Sequence, residues 1–227
     1  MTKTYEITDF QRREPKKGEF VTKFGGQPDW IKETDWPVSP SWEGRKMTFV
    51  GQIFLKKNML GNDKDLMAYI FMTQPESFED DFFDPDIADW DGGENAVIIQ
   101  TFDSAILPNG AKPLGGEDGP SLFDENDEHY EYIPVIKETQ EADFLSVEES
   151  HQLSKEQQSE YFKEVDKDKI GGTPAFFTGD DWPEGNWKLL LQLHCNFQPF
   201  VLRSGGISTM FVFISEDFQK GGMLIQD

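Results

Sequence analysis

The stretch "KFGGQPDWIKETDWP" at residues 23–37 returns in altered form as "KIGGTPAFFTGDDWP" at residues 169–183. Aligned without a gap, the two stretches are identical at seven of fifteen positions. The shared pattern is Lys-x-Gly-Gly-x-Pro followed by Asp-Trp-Pro. Similarity of this length indicates a repeated structural unit, so we predict that the chain contains an internal duplication.

The segments that follow each copy also match in order. "MTFVGQIFL" from residue 47 aligns with "WKLLLQLHC" from residue 187, which places Gln52 against Gln192. "LMAYIFM" (66–72) then aligns with "STMFVFI" (208–214), and "NAVIIQ" (95–100) with "GGMLIQ" (221–226). Their length and their content of Val, Ile, Phe and Tyr predict strands. The predicted fold class is therefore α+β, predominantly β, with two pseudo-symmetric β-rich halves connected by an acidic loop and a helix.

We predict one domain with four parts. They are an N-terminal arm at 1–19, a first repeat at 20–100, a connecting region at 101–165 and a second repeat at 166–227. In the connecting region, 108–128 is rich in turn residues and predicts a loop, and "HYEYIPVIKE" from residue 129 predicts a possible strand. Ser146 and Glu149 form a capping-box pattern, which predicts a helix from Ser146 with Leu153, Tyr161 and Val165 on one stripe. Residues 75–90 are expected to hold one turn of helix.

The duplicated Lys-x-Gly-Gly-x-Pro loop, the Trp-Pro and the apolar strand carrying Gln resemble the YwqG family, a bacterial group of unknown function. "IGGTPAFFTGD", "WKLLLQL" and "STMFVFISEDF" look like its C-terminal portion. The chain is more distantly similar to programmed cell death protein 2, a chaperone of a ribosomal protein, but lacks the zinc-binding cysteines of that group. The resemblance to the YwqG family implies a β-dominated fold with internal pseudo-symmetry, and no reaction.

Composition and charge exclude several classes of partner. The net charge of −22 repels phosphate groups, so neither nucleic acid nor a membrane surface is expected. Residues 78–94 carry eight acidic residues and no basic one, and residues 101–168 carry eighteen acidic residues against five lysines. Cys195 is the sole cysteine, and no signal-peptide or membrane-spanning pattern is seen, so a cytoplasmic protein is predicted.

The sequence presents no catalytic pattern, and we predict no cofactor and no metal. His194 and Cys195 are adjacent in a predicted strand, so they would point to opposite faces and could not form a dyad. Asp84, Asp86, Asp89, Asp91 and Glu94 do not follow the register of an EF-hand, and we expect a solvated acidic loop there instead of a calcium site.

The repeated glycines and prolines are expected to shape the chain. Gly-Gly supplies positive φ, and proline extends the residue before it. The predicted structural residues are Lys23, Gly25, Gly26, Pro28, Trp36, Pro37, Lys169, Gly171, Gly172, Pro174, Trp182 and Pro183. Gln52 and Gln192 could either hydrogen-bond to the glycine loops or line a cleft at the pseudo-symmetry axis.

Two functional hypotheses remain. In the first, the acidic segments bind a basic protein partner, as an immunity-type inhibitor of a basic toxin or as a chaperone-like holder of a basic ribosomal protein. Acidity that serves only solubility is the simpler alternative. In the second, a cleft between the repeats binds a small molecule or carbohydrate, or hydrolyses one, with Trp30, Trp42 and Trp90 as exposed candidate residues. The oligomeric state is left open.

Overall fold

The described residues of the computed structural model, 1–102, 113–114, 116 and 118–227, form a ten-stranded antiparallel sheet. The strands are β1 (Thr2–Arg13), β2 (Lys23–Gly25), β3 (Thr48–Leu55), β4 (Leu66–Met72), β5 (Asn95–Thr101), β6 (Glu131–Glu141), β7 (Lys169–Gly171), β8 (Trp187–His194), β9 (Thr209–Ser215) and β10 (Gly221–Gln226). The helices are α1 (Val147–His151) and α2 (Lys155–Val165), with 3-10 turns at Pro85–Ile87 and Cys195–Phe197.

The sheet has the order β10-β9-β8-β7-β1-β6-β2-β3-β4-β5. β1 and β6 lie side by side at its centre, and four strands follow on each side in the same succession. Both β3 and β8 carry a β-bulge, between Phe49 and Gly51 and between Leu189 and Leu191. The two edge strands approach each other where Gly221 of β10 lies against Val97 of β5, since a side chain at Gly221 would collide with Val97. The sheet therefore curls into a near-barrel.

The predominantly β class and all six longer strands of the predicted repeats are confirmed, as is the possible strand in the connecting region, which is β6. The N-terminal residues differ from the predicted arm. They contain β1, which pairs with β6 from Thr2 opposite Glu141 and with β7 from Thr4 opposite Gly171. β1 buries mainly Thr4, Tyr5 and Ile7, so most of the strand shows the polar composition of a loop.

The predicted helix is divided in two. The capping box at Ser146 is present, but a second one at Ser154, made with Gln157, starts α2 four residues after α1 ends. Tyr161 and Val165 are buried as expected. The predicted turn of helix within residues 75–90 is confirmed at Pro85–Ile87. Of the predicted loop at 108–128, residues 108–112, 115 and 117 lie outside the described residues.

Apolar side chains fill the inside of the near-barrel and also cover its outer faces. The interior includes Phe24, Ile53, Ile70, Leu191, Val212 and Cys195. On the outer face, the loop after β2 packs Trp30 and Trp36 on β3 and β4, and the loop after β7 packs Phe176 and Trp182 on β8 and β9. The repeated motif thus continues from a short strand into a loop that covers its own half. Neither helix in the described part of the chain has the length and apolarity needed to cross a membrane.

Candidate functional site

The lysines of both motifs are buried in ion pairs. Lys23 Nζ lies 2.6 Å from Glu131 Oε1 and 2.7 Å from Asp29 Oδ2. Lys169 Nζ lies 2.8 Å from Glu141 Oε1 and donates to the carbonyls of Val165 and Thr173 at 2.6 Å. Because each lysine lies in the sheet and is wholly covered, its partners are internal and it is not available to a ligand.

The paired glycines leave room for those carboxylates. Gly25, Gly26, Gly171 and Gly172 all have positive φ, between 68° and 82°. A side chain at Gly26 would collide with Glu131, and one at Gly172 would collide with Glu141. The motif therefore turns the chain and closes over a buried lysine–glutamate pair, which is a structural role.

Gln52 and Gln192 hold the motif loops from the adjacent strands. Gln52 Oε1 accepts from the N–H of Asp29 at 2.8 Å, and Gln192 Oε1 accepts from the N–H of Ala175 at 2.9 Å. Both amides are completely buried. Gln100 and Gln226, which the alignment of the repeats matches but which were not predicted as site residues, act in the same way. Gln100 accepts from Ile31 N–H at 2.9 Å, and Gln226 accepts from Phe177 N–H at 3.1 Å. The signal was present, since "IIQ" ends one half and "LIQ" the other.

The structure does not bring the three candidate tryptophans together. Trp30, predicted to be exposed, is only 3% exposed because it packs on Tyr69 and Phe71. Trp42 is 46% exposed, and its Nε1 donates to Asp84 Oδ2 at 2.7 Å. Trp90 is half-buried against Trp187. They lie in separate places and do not line a common cleft.

The histidines do not form a catalytic arrangement. His194 lies between two carboxylates, with Nδ1 2.7 Å from Asp168 Oδ1 and Nε2 3.0 Å from Asp166 Oδ1. These hydrogen bonds raise its pKa to about 10, so it stays protonated and cannot act as a base near neutrality. His129 Nδ1 lies 3.3 Å from Ser121 Oγ but closer, at 3.1 Å, to the carbonyl of Leu122. A proton on Nδ1 satisfies that carbonyl, which leaves this nitrogen unable to activate the serine.

Within the described ranges, no three His, Cys, Asp or Glu side chains are grouped closely enough to hold a metal ion. Asp84, the first candidate calcium ligand, is instead used internally. Its Oδ1 accepts from the N–H of Asp86 at 2.9 Å and its Oδ2 from Trp42. Glu94 is buried and accepts from Ser39 Oγ and Thr73 Oγ1. These two carboxylates fix loops of the first half.

An open groove of about 1100 Å³ is lined by segments from both halves of the chain. One wall is the segment 78–83, which follows β4, and the opposite wall is the loop 195–207, which follows β8. Residues 124–126, which precede β6, and Arg12 at the end of β1 complete it. The groove is therefore built from segments that lie outside the repeated strands and motifs.

Acidic and apolar side chains meet at this groove. The segments 78–83 and 124–128, which are "FEDDFF" and "DENDE", are joined by a hydrogen bond from Phe78 N–H to Asp127 Oδ1 at 2.5 Å. On the other side, Ile207 lines the groove and is 78% exposed, and Phe197 of the same loop is 74% exposed. Phe78 and Phe83 in the first wall are also exposed. A carboxylate-rich surface with accessible apolar side chains suits a basic partner with apolar anchors.

Asp124, which lines the groove, is not arranged as a general acid. Burial acts to raise the pKa of Asp124, but hydrogen bonds from the N–H groups of Asn126 and Glu128 to its Oδ1 outweigh it, and the pKa lies below its ordinary value. Asp124 is therefore ionised at neutral pH and holds no proton to donate. An ionised carboxylate is a suitable partner for a cationic side chain.

The model of a known protein family matches most of the chain. The matching profile covers residues 22–220, from the start of β2 almost to β10. Comparison with curated proteins gave no match. On the extent of the family match, the chain belongs to the family described as a domain of unknown function, DUF1963.

Proposed function

We propose that this protein is a cytoplasmic binding protein whose acidic groove takes a basic protein partner. The observation that carries the proposal is the meeting of two acidic segments, distant in sequence, beside exposed apolar side chains. Three acidic residues, Asp81, Asp124 and Glu125, line the groove beside two arginines, Arg12 and Arg203. Four more acidic residues lie in the same two segments, Glu79, Asp80, Asp127 and Glu128. The biological role would be that of an immunity-type inhibitor of a basic toxin, or of a chaperone-like holder of a basic protein.

Charge and apolar contact would contribute in different ways. Clustered carboxylates accelerate the encounter with a basic protein and orient it, with an effect that weakens as salt rises. Apolar side chains such as Ile207 and Phe83 would then be desolvated in the complex and would slow its dissociation. The proposal therefore predicts a salt-dependent association.

The alternative functions explain fewer features of the groove than binding of a basic protein does. Acidity that served only solubility would not require exposed Phe83 and Ile207 to line the same groove. A carbohydrate or small-molecule site would fit the location between the two halves, but the rim is wide and open, and the candidate tryptophans lie apart. A hydrolase would need a carboxylic acid that keeps its proton, whereas Asp124 does not.

We infer that the two halves arose by duplication of an ancestral five-strand unit. The inference is supported by the seven identities between the motifs, the matching strand order and the equivalent bulges in β3 and β8. Under this inference the unit begins at β1 in the first half and at β6 in the second. The groove then lies where the two halves differ.

The test is affinity capture from host cytosol with three forms of the full chain. The wild type is compared with the groove variant Glu79→Gln, Asp81→Asn and Glu125→Gln. It changes three exposed carboxylates of the two acidic segments, for which the described part of the chain shows no hydrogen bond. A control variant carries Glu148→Gln, Glu156→Gln and Glu160→Gln on the exposed faces of α1 and α2. The control loses the same number of charges away from the groove.

We expect a basic protein to be captured by the wild type and the control, and lost with the groove variant and at high salt. Its identity then distinguishes inhibition of a toxin from holding of a basic protein. Equal capture by all three forms would place the interaction elsewhere. Capture of a neutral or acidic protein that persists at high salt would contradict the electrostatic proposal.

A further inference from the structure

Trp30 and Phe176 occupy equivalent places in the two motif loops. The ring of Trp30 packs on Tyr69, and the ring of Phe176 packs on Phe211, which the alignment of the repeats matches to Tyr69. On either side of each residue, the backbone N–H groups donate inward to the paired glutamines of that half. In extended backbone, the hydrogen-bonding groups of alternate residues point to opposite sides. The carbonyls of Trp30 and Phe176 therefore point away from those glutamines.

In the first half, a segment of the connecting region uses this carbonyl. The N–H of Leu114 donates to the Trp30 carbonyl at 2.8 Å, and the two residues form an isolated antiparallel bridge. Asp118 forms an ion pair with Lys17, which lies between β1 and β2. The segment 113–118, with the sequence "PLGGED", thus combines a backbone bridge, an apolar residue and an acidic end.

In the second half, the corresponding carbonyl has no partner in the described part of the chain. Phe176 forms no β-bridge there, and its carbonyl accepts no hydrogen bond. The next residue, Phe177, is 41% exposed, whereas its counterpart Ile31 is only 2% exposed. A hydrogen-bond acceptor and an apolar ring are therefore left for a segment from outside.

Both phenylalanines line a groove of about 330 Å³, which we call the helix groove. Its other walls are the face of α1 that carries Val147 and the face of α2 that carries Lys155, Ser159 and Phe162. These three residues of α2 have the spacing of a single helical face. The helix groove shares no lining residue with the acidic groove, so the two are separate sites.

The helix groove differs from most of the surface in its charge. No aspartate or glutamate lines it, although the chain has 43 of them. Lys155 lines it and, unlike Lys17 in the first half, has no ion-pair partner among the described residues. An unpaired lysine beside apolar rings suits a segment that carries both an acidic and an apolar side chain.

We propose that the helix groove binds an extended peptide segment of a partner protein. The segment bridges the Phe176 carbonyl as Leu114 bridges that of Trp30, lays an apolar side chain on Phe177, and pairs a carboxylate with Lys155. This inference goes beyond the proposed function, because the ligand is an acidic and apolar segment and not a basic surface.

The probe is a fluorescent peptide with the sequence of residues 111–119, "AKPLGGEDG", added to the full chain. Its binding is measured by fluorescence anisotropy near physiological ionic strength, about 0.15 M. We expect saturable binding. A peptide with Leu114→Ser should bind roughly tenfold more weakly, because an apolar contact is lost. A peptide with Glu117→Gln and Asp118→Asn should bind about two- to fivefold more weakly, the effect of an exposed ion pair.

Variants of the protein locate the peptide. Phe177→Ser should weaken binding roughly tenfold, and Ser159→Trp, which fills the groove from the exposed side of α2, should abolish it. Lys155→Gln should reproduce the loss seen with the neutralised peptide. Its matched control is Lys163→Gln, an exposed lysine of α2 that does not line the groove, and this variant should bind like the wild type. Thermal unfolding should show that all four variants are folded.

Other outcomes would overturn the inference in recognisable ways. Binding that is unchanged in Phe177→Ser and Ser159→Trp would place the peptide at Trp30, by exchange with the chain's own segment. Equal losses in Lys155→Gln and Lys163→Gln would contradict the specific ion pair. A dimer that Phe177→Ser abolishes would assign the groove to a second copy. Absence of binding at about 1 mM peptide would reject the site. The capture experiment would still decide the proposed function, because it concerns the acidic groove.

Discussion

Lys169 and Glu141 form a buried ion pair in which Nζ lies 2.8 Å from Oε1 and 2.9 Å from Oε2. Burial lowers the pKa of Lys169 to about 8 and raises the pKa of Glu141. Lys23 and Glu131 form the equivalent ion pair at the other end of β6. In each pair, removal of water is tolerated only because the opposite charge and carbonyl oxygens replace it.

Glu141→Gln should therefore destabilise the protein strongly. The substitution leaves the Lys169 ammonium buried without its counter-charge, and we expect the free energy of unfolding to fall by about 3–5 kcal/mol. Urea denaturation measures this. The control is Glu138→Gln, whose partner Lys3 is on the surface, where little or no loss is expected. Equal losses in the two variants would contradict the role given to the buried pair.

Gly172→Ala should cost more stability than Gly44→Ala. Both glycines have positive φ, 82° and 74°, so both alanine variants carry the strain of a left-handed residue, about 1–2 kcal/mol. A side chain at Gly172 would also collide with Glu141 and Thr4, whereas the space around Gly44 is open. We expect thermal unfolding to show a distinctly larger loss for Gly172→Ala. Similar losses would mean that the carboxylate can move away at little cost.

Gln192→Leu should affect stability and not partner binding. Gln192 Nε2 donates to the carbonyls of Val165 and Lys167, both at 3.1 Å, and its Oε1 accepts from Ala175 N–H. Each buried backbone group left unpaired is expected to cost about 1–3 kcal/mol. Gln219→Leu, on the exposed β9–β10 turn, is the control. Unchanged stability together with lost capture of the basic partner would instead make Gln192 a binding residue.

His194 should make a stability contribution that decreases as pH rises. Its folded-state pKa of about 10 lies above its ordinary 6.5 because Asp166 and Asp168 accept from the imidazolium. The folded state therefore holds a proton that the unfolded state loses. The stabilisation is complete below about pH 6.5 and disappears by about pH 10.

Denaturation of the wild type and His194→Gln across this pH range measures the contribution of His194. The difference in unfolding free energy should shrink with increasing pH, and the effects of Lys169 and other groups common to both proteins should cancel. A difference independent of pH would show that the histidine is not charged in the folded protein.

The parts of the fold that sequence could predict are those with a local signal. β3, β4, β8 and β9 are apolar runs of strand length, and the two motifs repeat with Lys and Gly-Gly in register. β2 and β7 are only three residues long, so their strand character comes from their neighbours in the sheet. β1 has a mostly polar sequence and a bulge between Ile7 and Asp9, which breaks its alternation.

The candidate site could not be predicted from the sequence because it is formed by segments that lie far apart in the chain. The charge count located acidic segments, but it could not show that 78–83 and 124–128 meet. Trp30 appeared free for function, yet it is matched by Phe176, and both rings cover the outer faces of their halves. The loop 195–207 also lines the groove, and it lies more than sixty residues beyond these segments in the chain.

The central position of β1 in the sheet also affects how the protein folds, because β1 cannot pair until its partner strands have been synthesised. This strand is synthesised before its partners β6 and β7, which both follow residue 130 in the chain. Closing such distant contacts is entropically costly, so we expect slow folding and an N-terminal half that cannot complete its sheet during synthesis. Residues 1–102 expressed alone would lack β6, which joins β1 to β2. The two halves are thus interdependent in folding, however similar their internal construction.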